Sequence, residues 1–239
     1  MKTKALLSVL LLLQIVLQSV PVAAMSSETK LFPDSLSEFS ASKHHLALLG
    51  ETGRDSVKQV VPKTFNLAVT QYIEALTKRK EQVGKMLGLS NYYFPVYEKV
   101  FKEFGLPEEL KFLSVVESAL NPHAVSRVGA TGPWQFMFGT AKAYGLTMNT
   151  DVDERKDPVR ASKAAATYLK DAFAQFDDWL LAIASYNCGR GAVARAIVKA
   201  GGKADFWAIS PYLPAETRNY VPKFIATAYI MSNYQNYGI

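Results

Sequence analysis

A chain of 239 residues can build one sizeable core with little more than a small appendage. Hydrophobic residues make up 49% and charged ones 20%, an ordinary globular balance that excludes a chain disordered throughout. A single cysteine, Cys188, excludes an internal disulfide, and a net charge of +6 suits an anionic polymer, a membrane surface, nucleic acid or mere solubility.

The N-terminus has its own logic. Lys2 and Lys4 precede an uncharged apolar run from Ala5 to Val20, and Val22-Ala23-Ala24 supplies small residues suited to cleavage. That layout predicts a secretory signal peptide over residues 1–24, with a mature chain beginning near Met25. A retained anchor helix is the alternative, because the run approaches the length that spans a bilayer. No Cys lies near the cleavage-like residues to carry a lipid.

Residues 25–60 mix Ser, Lys, Glu and Gly with short apolar runs and read as a loosely ordered lead segment. Residues 61–105 read as an N-terminal helical segment. FNLAVTQYIEALTKRKEQVGKML has helical spacing at Leu67, Tyr72, Ile73 and Leu76, and YYFPVYEKVFKEF forms a second helix closed by Gly105. Pro107, followed by Glu108 and Glu109, opens a third, LPEELKFLSVVESAL, and the stretch from 124 to 155 reads as an irregular or hairpin-like patch. DPVRASKAAATYLKDAFAQF, then WLLAIASY capped by Asp178, then GAVARAIVKA follow as helices. LPAETRNYVPKFIATAYIMSNY is the last, with a kink or break expected at Pro222. Strand alternation is missing, so the expected fold class is all-α, with one domain over 106–239.

Glu117 is the residue that this pattern makes conspicuous. Leu110, Leu113 and Glu117 fall at i, i+3 and i+7, so a carboxylate shares the apolar face, in a last turn that Asn121-Pro122 ends. Desolvation and the negative end of the helix dipole both disfavour its anion and raise its pKa, as a general acid requires. The plain alternative is a Glu paired with a base or turned to solvent.

The neighbouring sequence adds weight to the first reading. Ser126 to Gly132 is a tight loop whose small residues leave room for a ligand near the backbone, and Gln135 offers an amide suited to hydroxyl and acetamido groups. Trp134, Phe136, Tyr186, Tyr212 and Tyr220 could stack on sugar faces, although aromatics at helical spacing more often serve a core. Asn187 ends an apolar helix beside Tyr186, as a cleft residue or as a C-cap. Three His without H-E-x-x-H, one Cys, and no phosphate loop or nucleophile elbow leave neither a metal nor an organic cofactor expected.

Glu117-Ser118, the Gly132–Gln135 stretch ending in W-Q, Tyr186-Asn187 and the late E-T-R-x-Y-V at Glu216 to Val221 together resemble the lytic murein transglycosylases, in particular the membrane-bound D type. The resemblance runs from about Leu106 to Ala194 and, with flanking helices, from Phe65 onward. It implies a goose-lysozyme-like helical fold with a glycan cleft. It also implies cleavage of the β-1,4 bond between N-acetylmuramic acid and N-acetylglucosamine in peptidoglycan, leaving a 1,6-anhydro end.

Carried over residue by residue, the resemblance makes Glu117 the catalytic acid and base. Ser126, Gln135 and Met137 become glycan contacts, Tyr186 and Asn187 the acetamido site, and Glu216 and Tyr220 cleft-lining residues, with Ser118 supporting Glu117. Pro133 departs from the Leu or Ile usual at its position, and no wall-binding repeat follows within this chain. Affinity for the wall would then rest on the cleft and a basic surface, whose charge is +4 once Lys2 and Lys4 of the leader are set aside.

The expected partner is therefore the peptidoglycan glycan strand, with no nucleic acid, no stable membrane anchor after leader cleavage, and an exported, periplasmic or envelope location. Asp151, Asp153, Glu154 and Asp157 read as solvated surface, so a single-acid, substrate-assisted route is expected. Two other functions stay open, a hydrolytic muramidase on the same fold and a catalytically idle glycan-binding protein.

Overall fold

The computed structural model describes Val60 and residues 65–239. The expected leader, and all of the lead segment but Val60, lie outside the described residues.

Helix α1, Leu67–Thr77, starts where Asn66 accepts a hydrogen bond from Val69 N at 3.1 Å, and it buries Val69, Tyr72, Ile73 and Leu76. The basic run Lys78-Arg79-Lys80 is its end, not the middle of a longer helix. The chain turns there and α2 runs unbroken over Lys80–Phe104, through Pro95, to Gly105 in the left-handed region at φ 71°. The expected first and second helices are thus divided some residues too late. Gly84, Gly88 and Pro95 look like breakers, yet this helix absorbs them because Val83, Met86, Tyr93, Tyr97, Val100 and Phe101 bury one continuous face.

The third expected helix begins as a 3-10 turn, Glu108–Lys111, before becoming α3, Phe112–Ser118. Its end is abrupt. Ala119 and Leu120 both adopt positive φ, 51° and 65°, and Leu120 folds back fully buried. Two left-handed residues cost about 1–2 kcal/mol each, and burial of one Leu returns roughly 2 kcal/mol, so packing offsets much of this turn.

The patch after α3 contains isolated antiparallel bridges, Val125 to Thr131, Thr131 to Phe136 and Met148 to Asp153, and among the described residues no strand. Short α4, Phe138–Ala143, interrupts it. α5, Pro158–Phe176, opens with Asp157 accepting from Val159 N and Arg160 N at 2.9 and 2.7 Å, and α6, Trp179–Cys188, opens with Asp178 accepting from Leu181 N at 2.8 Å. α7, Arg190–Lys199, and α8, Phe206–Ile209, lead to α9, Ala215–Ser232. Pro222 lies inside α9 without breaking it, and the helix buries residues on both sides of that proline.

α9 is the hub of the packing: it lies against α1, α6 and α3, while α5 packs on α2 and α6, and α7 on α6. The first turns of α9 therefore meet the last turn of α3 and the end of α6.

Candidate active site

Glu117 sits half-buried in the last turn of α3. Tyr220, buried in α9, donates its phenolic hydrogen to Glu117 Oε1. One turn earlier in α9, Glu216 accepts a hydrogen bond from Asn187 Nδ2 at 3.2 Å, and Thr217 Oγ1 donates to Asn187 Oδ1 at 2.6 Å. Asn187 is thus held by its side chain from both ends, which its alternative reading as a backbone cap does not capture. The cap position falls to Gly189, at φ 83°.

The loop from Gly132 to Phe136 is fastened between the same helices. Ser114 and Ser118 each donate to the Pro133 carbonyl at 3.0 Å, from α3. Tyr186, from α6, donates to the Trp134 carbonyl at 2.9 Å. The Pro133 carbonyl is thus an anchor of the loop. Ser118 supports the site by binding this loop from the residue next to Glu117.

Burial is the main reason that the Glu117 carboxyl is pushed up from 4.5 to about 7, the negative charge of Glu216 adds to it, and the Tyr220 hydrogen bond opposes it. Tyr220 and Tyr186 are raised well above the usual phenol value, first by burial and then by Glu117 itself. Both phenols stay protonated donors while Glu117 is poised to gain or lose a proton near neutrality.

Among the expected site residues, Glu117, Tyr186, Asn187, Glu216 and Tyr220 converge here. Ser126, Gln135 and Met137 belong to the adjoining loop. Ser126 Oγ accepts from Ala130 N at 2.9 Å and closes the turn there. Gln135 Nε2 donates to the carbonyls of Gly132 and Ala124 at 2.9 and 3.3 Å, at φ 49°, which leaves its amide oxygen as the group to offer a ligand. Met137 is 44% exposed beside it.

Some expectations need correction. Trp134 and Phe136 are core residues, not stacking platforms: Trp134 is fully buried against Tyr97 and Phe101, its indole donating to Ser162 Oγ at 2.9 Å. Tyr212 is 49% exposed. Gly132 makes room for the protein and not for a ligand, because a Cβ there would lie 1.8 Å from the Arg155 carbonyl oxygen. Of the four downstream acids, only Asp151 is plain exposed surface. Asp153 binds Arg155, Glu154 pairs with Arg160 at 3.0 Å, and Asp157 caps α5. The sequence reading missed Thr217, Ser114 and Arg155. Thr217 alone had a signal, its place inside the E-T-R-x-Y-V run. The cavity of about 380 Å³ between α2, the 3-10 turn before α3 and the end of α9 contains none of the expected site residues.

A half-buried acid at a helix end, gripped by a tyrosine from a distant helix, is the centre of this site. The chain matches the family model of the transglycosylase SLT domain over residues 98–209. More particularly, it is 43% identical over 142 residues to membrane-bound lytic murein transglycosylase D of Escherichia coli (strain K12), a match covering 58% of this chain and 31% of that protein. The crystal structure of the 70 kDa soluble lytic transglycosylase from Escherichia coli superposes with a TM-score of 0.53 at 21% identity, over 70% of this chain and 30% of that one. The complex of a 70-kDa soluble lytic transglycosylase with bulgecin A gives 0.54 at 22%, over 70% and 30%. These two likenesses establish the fold, and the chain spans about a third of the length of the relatives it matches.

Proposed function

We propose that this protein is a peptidoglycan lytic transglycosylase. It cleaves the β-1,4 bond between N-acetylmuramic acid and N-acetylglucosamine and forms 1,6-anhydromuramic acid ends. The observation that carries the reading is the state of Glu117: raised to about 7 and held at Oε1 by Tyr220, with Glu216, the other carboxylate at the site, exposed and bound to Asn187.

Tyr220 on Oε1 leaves Oε2 to carry the acidic proton. Glu117 gives that proton to the glycosidic oxygen as the bond to muramyl C1 breaks, and the acetamido carbonyl of the same sugar closes onto C1. The carboxylate so formed is stabilised by Tyr220. It then takes the proton of the muramyl C6 hydroxyl while that oxygen displaces the acetamido oxygen at C1. Bonds and protons balance without water, and one residue is acid and then base. Asn187, fixed by Thr217 and Glu216, and Tyr186 and Gln135, fixed by the loop, hold the acetamido group in a near-attack position. The leader expected over residues 1–24 would deliver the enzyme to the envelope, where glycan strands lie.

Mass spectrometry of muropeptides released from purified wall tests this directly. The expected products are lighter by one water than hydrolysed ones, and Glu117→Gln should release at least ~10²-fold less. Products with reducing muramic acid ends would make the protein a muramidase, and no release by the native chain would make it a binding protein.

A further inference from the structure

Arg155 stands outside the network around Glu117, yet it touches the glycan-contact loop at three places. It lies in the 3-10 turn Glu154–Lys156, and its side chain is only 12% exposed. Its Nη1 donates to the carbonyls of Gly129 and Phe136 at 3.1 and 3.3 Å. Its own backbone carbonyl fills the space that a side chain on Gly132 would need. The other side of the fork, Nε and Nη2, binds both Asp153 oxygens at 2.9 and 2.8 Å, which fixes the plane of the guanidinium.

The two carbonyls are not arbitrary points. Gly129 O also accepts from Thr131 Oγ1 at 3.1 Å, and Phe136 O also accepts from Thr131 N at 3.1 Å. Arg155 therefore grips both ends of the segment that turns through Gly132. Phe136 lies between Gln135, held at φ 49°, and the exposed Met137. Left-handed backbone at a non-glycine residue persists only where its surroundings enforce it.

We propose that Arg155, locked by Asp153, is a positioning residue that sets the loop carrying Ser126, Gln135 and Met137 for glycan binding, an assignment that rests on the transglycosylase reading. Lysine keeps the charge but has no planar fork and cannot span Asp153 and two carbonyls at once.

The test compares native protein, Arg155→Lys and Asp153→Asn in glycan cleavage and in tryptic cutting after exposed Arg127. Arg155→Lys should raise KM about tenfold with kcat changed by less than about threefold, because Glu117 is held from α3 and α9 and not from this turn. Asp153→Asn should raise KM about threefold, and the double variant no more than Arg155→Lys alone. Cutting at Arg127 should quicken in parallel, as local opening becomes easier. An unchanged KM overturns the proposal, as does a loss confined to kcat. If the native chain releases no muropeptide, the transglycosylase reading fails separately. The rate of cutting at Arg127 then decides whether Arg155 positions the loop. If Arg155→Lys does not fold, Asp153→Asn carries the same measurements.

Discussion

Replacing Glu117 with Gln removes a group that folding holds protonated, and the structure fixes how the effect must vary with pH. The carboxyl moves from 4.5 to about 7 on folding, chiefly because it is buried. Between those values the native state keeps a proton that the unfolded chain has released, so stability falls as pH rises through that window. Below it the group contributes no penalty, and above it the penalty is complete. At 1.36 kcal/mol for each tenfold change in proton affinity, the full penalty is up to about 3 kcal/mol. Gln has the same shape and can still accept from Tyr220, so the variant escapes the penalty with little loss of packing. The carboxyls held low, Glu81 by Lys85 and Asp153 by Arg155, slope the other way but are common to both proteins and cancel in the difference. Urea denaturation of the two proteins at about pH 4 and about pH 8 measures that difference. The variant should gain up to about 3 kcal/mol over native protein on going from the lower pH to the higher. A difference that stays flat with pH would refute the burial of this acid and the mechanism built on it.

Tyr220→Phe removes a contact that stabilises the Glu117 carboxylate, so the alkaline limb of the kcat/KM profile should move upward by about one pH unit, a charge-assisted hydrogen bond being worth about 1.5–3 kcal/mol. Glu216→Gln withdraws a negative charge and should move that limb downward, by less, since Glu216 is exposed; both are read from pH–rate curves. Tyr186→Phe leaves the Trp134 carbonyl without its donor and should cost about 1–3 kcal/mol of stability together with slower turnover, by calorimetry and muropeptide assay. Gly132→Ala drives a Cβ into the Arg155 carbonyl at φ 84° and should cost about 2–4 kcal/mol, seen as a lowered denaturation midpoint.

Helix positions were legible wherever a local signal decided them. Asp178 and Gly105 mark ends that the structure keeps, and the apolar spacing of α3 points Glu117 inward. The division between α1 and α2 was not, because the stretch from Gly88 to Asn91 that separates the expected helices is spanned by a long buried face that only tertiary packing supplies. Pro222 does not break α9, because buried positions continue on both sides of it. The site divides along the same line. The residue types at Glu117, Tyr186, Asn187, Glu216 and Tyr220 could be read from motifs, but the bond from Tyr220 to Glu117 joins positions 103 apart, and no spacing rule reaches that far. Trp134 shows the converse limit, since a ring suited to sugar and a ring suited to a core look alike until Tyr97 and Phe101 are seen to enclose it.

That long-range bond has a consequence for the life of the chain during its own synthesis. Glu117 emerges from the ribosome well before Tyr220, Thr217 and Glu216, and it gains its phenol only when the last long helix docks on α3. A chain stopped before Ala215 presents an acid with no phenol to stabilise its anion and an Asn187 without either of its holders. Nascent and truncated forms therefore lack the complete site by construction, and the site closes only with the final helix.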